Sequence, residues 1–473
     1  MPIIITMTHH THDKKEYCGV FGIFNHEQAV DFTYLGLYAL QHRGEESCGI
    51  AVSDKKKIRQ LTGMGLVSEV LGKKKIKDLK GKTAIGHVRY STTGSSILRN
   101  AQPFVISHQK FSVSIAHNGN LTNAVKLRRQ LEKEGAIFQT TMDSEVVLHL
   151  LVRSKKEQIE DRLVDALGQC DGAFTMLFLT ENKIIGVRDP NGFRPLCLGK
   201  KDSSYVLASE TCSLDLIDAE FVREIEPGEM VIISEDGMES HKPFEKKAHT
   251  PCIFEFIYFA RPDSHIFGQS VYEVRKRLGR KLTQEHPADV DMVMSIPDSG
   301  NYAALGYSEE SGVPFDFGMI RNHYVGRTFI QPSQEMRKHG VKIKLNPIKD
   351  VLKGKKIVVV EDSIVRGTTT SSRIKAIREA GVKEIHMRIS CPPIKFPCFY
   401  GIDFPSRKEL IANELSVGKI AKFIGVDSLK YLSIDGMLEA ARNNGKDFCT
   451  ACFSGNYPTK VRKSAAKSAF NAK

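Results

Sequence analysis

The chain lacks any run of apolar residues long enough to cross a bilayer. It also lacks a signal peptide, because residues 1–17 contain no basic start, no long apolar stretch and no small-residue cleavage site. Internal repeats and long linkers are missing as well. These absences argue against membrane, exported and repeat proteins. We therefore expect a cytoplasmic globular protein with no membrane partner.

Cysteine is too sparse for a disulfide scaffold, since ten cysteines are spread over 473 residues. Reduced thiols are expected, some of them used for metal binding or catalysis. The formal net charge is +13, but the basic residues are scattered apart from residues 73–77 and the tail from Lys460. No nucleic-acid-binding motif accompanies them, so we expect no nucleic-acid partner and interpret the positive field as suited to anionic substrates.

Residues 357–370 read IVVVEDSIVRGTTT, which predicts a buried strand followed by an acid pair and a hydroxyl-rich loop. A helical pattern begins near Ser372, so the loop would meet a helix N-terminus, where backbone N–H groups and the helix dipole favour anions. The acids can receive ribose hydroxyls or lie against a Mg²⁺ ion that the ligand carries. The pattern favours a phosphorylated sugar with a metal-bound phosphate over a plain strand and polar turn. The Walker A pattern GxxxxGK(S/T) is absent.

This stretch resembles the phosphoribosyl diphosphate (PRPP) loop of type I phosphoribosyltransferases. SIPDSG at 295–300 matches their pyrophosphate loop, and the basic segment 321–337 resembles their flexible loop. The resemblance implies one Mg²⁺ per subunit near Ser299, Glu361 and Asp362, with Glu361 standing where Asp is usual. It also implies that PRPP is bound by a larger set of residues: Asp298, Ser299, Arg327, Glu361, Asp362, Ser363, Gly367, Thr368 and Thr369. The alternation of helices and strands from about Gly268 predicts an α/β domain with a parallel sheet.

The N-terminal half is rich in strand-like segments and contains CGVFGIF at 18–24, LQHRGEESCGI at 40–50, GHVRYSTTG at 86–94, FSVSIAHNGNL at 111–121 and TMDSEV at 141–146. Many strands with few helices predict two stacked sheets with helices outside them. The five motifs together resemble the glutaminase domain of N-terminal-nucleophile amidotransferases. The resemblance implies that Cys18 is the nucleophile, that Asn118 and Gly119 form the oxyanion hole, and that glutamine is bound by Arg43, Gly44, Arg89 and Asp143. Arg89 would hold the α-carboxylate of glutamine and Asp143 its α-ammonium, whereas Arg43 and Gly44 would lie in a loop that closes over it.

Seventeen residues precede Cys18, although a nucleophile of this kind needs a free α-amine as its base. We expect residues 1–17 to be a leader that is removed. The alternative is a glutaminase half that has lost its activity.

CTAC at 449–452 is a CxxC pair, and Cys252 and Cys398 are two further cysteines in motif-like surroundings. Four thiolates suit either zinc or an iron–sulfur cluster, and the residues alone leave both open. The order of glutaminase, phosphoribosyltransferase and CxxC resembles the PRPP amidotransferase family. That resemblance implies a structural 4Fe–4S cluster on Cys252, Cys398, Cys449 and Cys452, as in its bacterial-type members.

The predicted architecture is an α+β N-terminal-nucleophile glutaminase, with stacked sheets between helices, followed by an α/β type I phosphoribosyltransferase. The predicted boundaries are 18–250 for the first domain, 251–460 for the second and 461–473 for a basic tail. The family resemblance implies synthesis of 5-phosphoribosylamine from glutamine, PRPP and water, feedback by purine nucleotides, and a homo-oligomer. Glucosamine-6-phosphate synthase and asparagine synthetase share the glutaminase half, but their second domains leave no signal here. A PRPP-sensing regulator would have no use for Cys18 and its partner motifs.

Overall fold

The computed structural model of the chain describes residues 18–90, 95–109, 111–322, 345–404, 406–441 and 448–461. The described residues divide into two compact units. The glutaminase unit comprises residues 18–274, 398–403 and 441–461, and the transferase unit comprises residues 275–397 and 404–440. The expected leader, Arg327 and nearly all of the basic tail lie outside the described residues.

The glutaminase unit is built on two antiparallel sheets. One sheet has seven strands in the order β11-β9-β10-β1-β4-β2-β3, with bounds β1 Gly19–Ile23, β2 Ser47–Ser53, β3 Ile58–Met64, β4 Thr83–Arg89, β9 Cys197–Lys201, β10 Ser204–Ala208 and β11 Glu220–Glu224. The other has six strands in the order β13-β12-β8-β7-β6-β5, with bounds β5 Phe104–His108, β6 Phe111–Leu121, β7 Gly172–Leu179, β8 Ile184–Arg188, β12 Met230–Ser234 and β13 Gly237–His241. A short hairpin follows, formed by β14 His265–Ile266 and β15 Gln269–Ser270.

Helices cover the outer face of each sheet. Their bounds are α1 Ala29–Ala39, α2 Val67–Val70, α3 Lys73–Ile76, α4 Ala124–Lys133, α5 Glu145–Arg153, α6 Ile159–Leu167 and α7 Cys212–Asp215. The alternation of side chains along β1 explains the layering, because Phe21 packs towards α1 while Val20 packs between the sheets. A third apolar cluster joins the six-stranded sheet to α4, α5 and α6. The predicted stacked sheets between helices are thus confirmed.

The transferase unit contains a parallel sheet of four described strands in the order β16-β19-β20-β21, with bounds β16 Met292–Ser295, β19 Lys356–Glu361, β20 Glu384–Ile389 and β21 Ser428–Tyr431. A small antiparallel pair consists of β17 Met319–Arg321 and β18 Leu345–Pro347. The remaining helices of the described residues are α8 Val271–Glu285, α9 Asn301–Ser311, α10 Lys349–Leu352, α11 Thr368–Glu379, α12 Ile411–Glu414, α13 Val417–Ile424, α14 Ile434–Ala441 and α15 Ala451–Ser454, of which α15 belongs to the glutaminase unit. The predicted α/β unit with a parallel sheet is confirmed. No helix within the described ranges combines the length and apolarity needed to cross a membrane.

The division between the units differs from the boundary expected at residue 250. Residues 251–274 belong to the glutaminase unit, and the chain returns to that unit at 398–403 and again at 441. The predicted cluster cysteines therefore belong to the glutaminase unit rather than to the transferase domain. Backbone pairing between Cys252 and Cys449 joins two of these distant segments, a contact that local sequence pattern does not report.

Candidate active sites

Cys18 lies immediately before β1, and its thiol is buried. The thiol donates to the carbonyl oxygen of Tyr90 at 3.5 Å. Burial raises the pKa of Cys18 to about 11, and the nearby Arg89 guanidinium only partly opposes this rise. The thiol is therefore protonated at neutral pH, and it needs a base before it can act as a nucleophile.

Asn118 and Gly119 lie on β6, opposite Thr175 and Phe174 of β7. The Asn118 side chain is fully buried, and neither of its amide atoms has a hydrogen-bond partner among the described residues. Leaving a buried polar group unpaired costs about 1–3 kcal/mol, so this amide is better explained by a ligand than by folding. Gly119 has φ of 153°, and a Cβ there would lie 2.1 Å from the Ala173 carbonyl oxygen. Only glycine fits this position next to the amide.

Arg89 ends β4, and Asp143 lies just before α5. Both are close enough to the Cys18 thiol to influence its pKa, so the structure places these three predicted residues near one another. Burial lowers the pKa of Arg89, whose ion pair with Glu46 is long at 3.8 Å. Burial opposes ionisation of Asp143, but His117 and two backbone amides lower its pKa overall.

The Asp143 carboxylate is held rigidly. Its two oxygens accept from the backbone amides of Leu121 at 2.8 Å and Ser144 at 2.9 Å. His117 Nδ1 lies 3.6 Å from Asp143 Oδ1 and precedes Asn118 in the chain. No role was predicted for His117, although it lies within the segment FSVSIAHNGNL at 111–121.

Arg43 does not lie where it was predicted. Its side chain was expected in a loop that closes over glutamine, but it is fully buried in a short 3₁₀ helix and pairs with Glu210 and Glu255. An enclosed guanidinium that holds two carboxylates is not accessible to a ligand. Gly44 does approach the site, because a Cβ there would lie 2.7 Å from the Arg89 backbone.

The two predicted PRPP loops meet at Asp362. Strands β16 and β19 are parallel neighbours, so the segments that follow them leave the same edge of the sheet. Ser299 Oγ donates to one Asp362 oxygen at 2.5 Å, and Ser363 Oγ donates to the other at 2.6 Å. Asp298, the other member of the first loop, pairs with Arg321 at 2.6 Å.

Glu361 is directed into the protein, where it accepts from Arg373 at 2.9 Å and from Thr370 at 3.4 Å. Gly367 has φ of 76° and caps α11, which begins at Thr368 and continues with Thr369. The N-terminus of α11 therefore lies at the loop where the sequence predicted the anion site. The predicted contact from Arg327 cannot be placed, since that residue lies outside the described ranges.

The four predicted cluster cysteines are all buried in the glutaminase unit. Cys449 N donates to the Pro251 carbonyl oxygen at 2.8 Å, and Tyr400 N donates to Cys398 Sγ at 3.3 Å. Burial raises the pKa of the Cys449 thiol, and the neighbouring Cys252 and Cys398 raise it further. An all-sulfur, buried donor set fits either metal centre left open by the sequence. Within the described part of the chain, however, no group of three or more His, Cys, Asp or Glu side chains is arranged to hold a metal ion.

Known proteins are similar to this chain over most of its length. A family model described as a glutamine amidotransferase domain matches residues 87–215. Chloroplastic amidophosphoribosyltransferase 1 of Arabidopsis thaliana is 52% identical over 448 residues, covering 94% of this chain and 79% of that protein. The amidophosphoribosyltransferase of Bacillus subtilis is 47% identical over 451 residues, covering 94% and 95%.

Two solved structures extend the agreement to the fold. A structure of the allosteric regulatory enzyme of purine biosynthesis has a TM-score of 0.91 at 46% identity, covering 95% of this chain and 98% of that one. The Bacillus subtilis glutamine PRPP amidotransferase, solved with ADP and GMP, has a TM-score of 0.90 at 46% identity, covering 94% and 98%.

A glutaminase fold joined to a phosphoribosyltransferase sheet defines the class as glutamine-dependent phosphoribosyl amidotransferases. Within that class, the chain belongs to the amidophosphoribosyltransferase family. The reaction converts glutamine, PRPP and water into 5-phosphoribosylamine, diphosphate and glutamate. It is the first committed step of purine synthesis.

Proposed function

We propose that Cys18 is the glutaminase nucleophile and that the Asn118 amide, with the Gly119 N–H, receives the oxyanion. The observation that carries this assignment is the fully buried Asn118 amide without a partner among the described residues. A donor already in place stabilises charge as it develops, without reorganisation. Arg89 and Asp143 would hold the α-carboxylate and the α-ammonium of glutamine.

The proposed chemistry needs the α-amine of Cys18. That amine would take the thiol proton as Sγ attacks the side-chain amide carbon, and it would return a proton to the departing ammonia. The resulting glutamyl thioester is then cleaved by water to give glutamate. Because the amine lies in a peptide bond while residues 1–17 are present, removal of this leader is part of the proposal.

In the transferase unit, Asp362 with Ser299 and Ser363 would receive PRPP, and ammonia would displace diphosphate from the C1 carbon. The N–H groups at the start of α11 would bind the 5-phosphate. Ser299, Glu361 and Asp362 are the candidates for holding Mg²⁺, which would offset the charge of the diphosphate group. Glu361 contributes only if its carboxylate exchanges Arg373 for the ligand.

The test separates the two chemistries. Cys18→Ala should abolish phosphoribosylamine formation from glutamine, while activity with added ammonium salt at the same pH remains within about twofold of wild type. The ratio of the two activities removes the effect of a general loss of protein. Equal loss of both activities would contradict the assignment. Intact-mass measurement of the wild type should show a chain that begins at Cys18.

For the cofactor, we propose a structural 4Fe–4S cluster on Cys252, Cys398, Cys449 and Cys452, the iron–sulfur type of the family. All four cysteines are buried, and a backbone bridge between Cys252 and Cys449 brings two of them side by side, which supports the proposal. Anaerobically purified protein should be brown and contain about four iron atoms per chain. Colourless protein with stoichiometric zinc would replace the cluster with a four-cysteine zinc site.

Regulation by purine nucleotides is also proposed, since a structure 46% identical to this chain was solved with ADP and GMP. Ten free cysteines support a reducing, cytoplasmic setting. A homo-oligomer remains an expectation.

A further inference from the structure

The side chain of Arg43 makes a contact with the nucleophile that the glutamine-binding prediction did not include. Its Nε donates to the carbonyl oxygen of Cys18 at 3.0 Å. Its two terminal nitrogens donate to Glu210 at 2.5 Å and to Glu255 at 2.8 and 3.0 Å. The guanidinium thus spans two carboxylates and presents its remaining edge to the nucleophile's own main chain.

Both carboxylates also accept hydrogen bonds from groups other than Arg43. Glu210 Oε2 accepts from the Arg261 backbone amide at 2.9 Å and from Ser264 Oγ at 2.7 Å. Glu255 Oε1 also accepts from Arg194, which in turn donates to the Tyr400 carbonyl oxygen at 2.7 Å. All of these groups belong to the glutaminase unit, and the side chains of Arg43, Arg194, Glu210 and Glu255 have no solvent exposure.

Stability alone is a weak reason to keep such a network, since apolar side chains of similar volume often stabilise a core at least as well as a buried ion pair. The geometry offers a better reason. A chain end frays unless it is tied down, and the proposed chemistry requires Cys18 to be a chain end with its α-amine unengaged. The remaining main-chain anchor on Cys18 is its carbonyl oxygen, and Arg43 holds that atom.

We propose that Arg43, held by Glu210 and Glu255, is a positioning residue for the nucleophile. It fixes the Cys18 carbonyl and thereby the directions of the thiol and the α-amine. Gly19 fits this role, because a Cβ there would lie 3.3 Å from Arg43 Cδ, so the arginine stem lies against the residue next to Cys18. The inference rests on the proposed function of Cys18 and adds the residue that orients the nucleophile.

The experiment compares Arg43→Lys with Arg162→Lys. Lysine keeps the charge between the two carboxylates but cannot bridge both of them and the Cys18 carbonyl. Arg162 is another buried arginine of the same unit. It lies on helix α6 and donates to the Ser154 carbonyl oxygen at 2.8 Å. Four quantities are measured for both variants: glutamine hydrolysis, ammonia-dependent activity, the thermal midpoint of unfolding and the rate at which a glutamine-like diazoketone labels Cys18. Glu255→Gln, which keeps its shape, is the second network variant.

Arg43→Lys should lower kcat for glutamine hydrolysis and the labelling rate roughly 10- to 100-fold, the scale expected when a reacting group is misplaced by about 1 Å. KM for glutamine and ammonia-dependent activity should stay within about twofold. Glu255→Gln should also lower kcat for glutamine hydrolysis and the labelling rate, but by less. If Arg43→Lys does not fold, the result for Glu255→Gln tests the inference in its place. If the glutamine hydrolysis and labelling rates of Arg43→Lys fall only in proportion to its thermal midpoint, as expected for Arg162→Lys, Arg43 is purely structural and the inference is overturned. A wild type that hydrolyses no glutamine would instead overturn the proposed function itself.

Discussion

Two asparagines on strand β6 illustrate how differently one side chain can be used. Asn118 is enclosed without a hydrogen-bond partner among the described residues, whereas Asn120 donates to the Phe399 carbonyl oxygen at 2.9 Å. The two residues are separated by Gly119, so they face the same side of the strand. A folding role explains Asn120, and a role in binding transition-state charge explains Asn118.

Replacing each asparagine with alanine should therefore give opposite results. Asn118→Ala should lower glutamine-dependent kcat by about 10²–10³-fold, the usual loss for one oxyanion donor, without lowering the free energy of unfolding. Asn120→Ala should lower the free energy of unfolding by about 1 kcal/mol, because it removes a satisfied hydrogen bond. Denaturant titration and steady-state kinetics on both variants provide the check. A destabilised Asn118→Ala with unchanged kcat would show that the amide serves the fold.

At the residue scale, the short motifs identified residues that lie close together in the structure. Arg89 and Asp143 lie close enough to Cys18 to influence its pKa, and Ser299 donates to Asp362 across two loops. The buried ion pairs were not predicted, because Arg43, Glu210 and Glu255 are separated by long stretches of chain and each resembles an ordinary charged residue. The ion pair between Glu361 and Arg373 was not predicted from the sequence either, because it depends on how helix α11 packs.

Secondary-structure elements were the most predictable part of the molecule. The alternation of helices and strands expected from about Gly268 is present, beginning with helices α8 and α9 and strand β16 between them. The helix after the acid pair begins at Thr368, four residues earlier than the expected start near Ser372. The threonines there have weak helix propensity, but Gly367 adopts a left-handed conformation that turns the chain directly into the helix.

Gly367 offers a test of that turn. A Cβ at this position would lie 2.7 Å from Ile411 Cδ1, in addition to the strain of φ at 76°. Gly425 is a matched control, because its φ is 85° but a Cβ would have only Ile374 near it, at 4.0 Å. Gly425→Ala should cost about 1 kcal/mol of stability through backbone strain alone.

Gly367→Ala should cost more stability than Gly425→Ala and should also raise KM for PRPP several-fold, because the loop must shift where the 5-phosphate is proposed to bind. Both effects should appear in the glutamine-dependent and the ammonia-dependent reactions. Thermal unfolding and PRPP titration measure them. If the two variants change KM for PRPP equally, the loop at Gly367 is not the phosphate site.

At the scale of the whole molecule, the path of the chain limited prediction. The alternation of helices and strands was recognised from about Gly268, and the predicted domain boundary was placed at residue 250. The contacts divide instead near 274, and residues 398–403 and 441 onward rejoin the glutaminase unit. Such returns are set by long-range pairing, for example between Cys252 and Cys449, which leaves no periodic signal in either segment.

The net charge of +13 predicts a specific response to salt. Three arginines near the PRPP loops are neutralised by acids, since Arg321 pairs with Asp298, Arg366 with Glu409 and Arg373 with Glu361. We therefore expect the long-range field of the chain to contribute to attraction of an anionic substrate, and salt screens that field over about 10 Å at 0.1 M. Raising monovalent salt from about 0.05 to 0.5 M should increase KM for PRPP several-fold at saturating Mg²⁺. KM for glutamine, a zwitterion with no net charge, should change less than about twofold in the same assays. Equal increases in both constants would indicate a general effect of salt on the protein, and an unchanged KM for PRPP would show that local contacts alone recruit it.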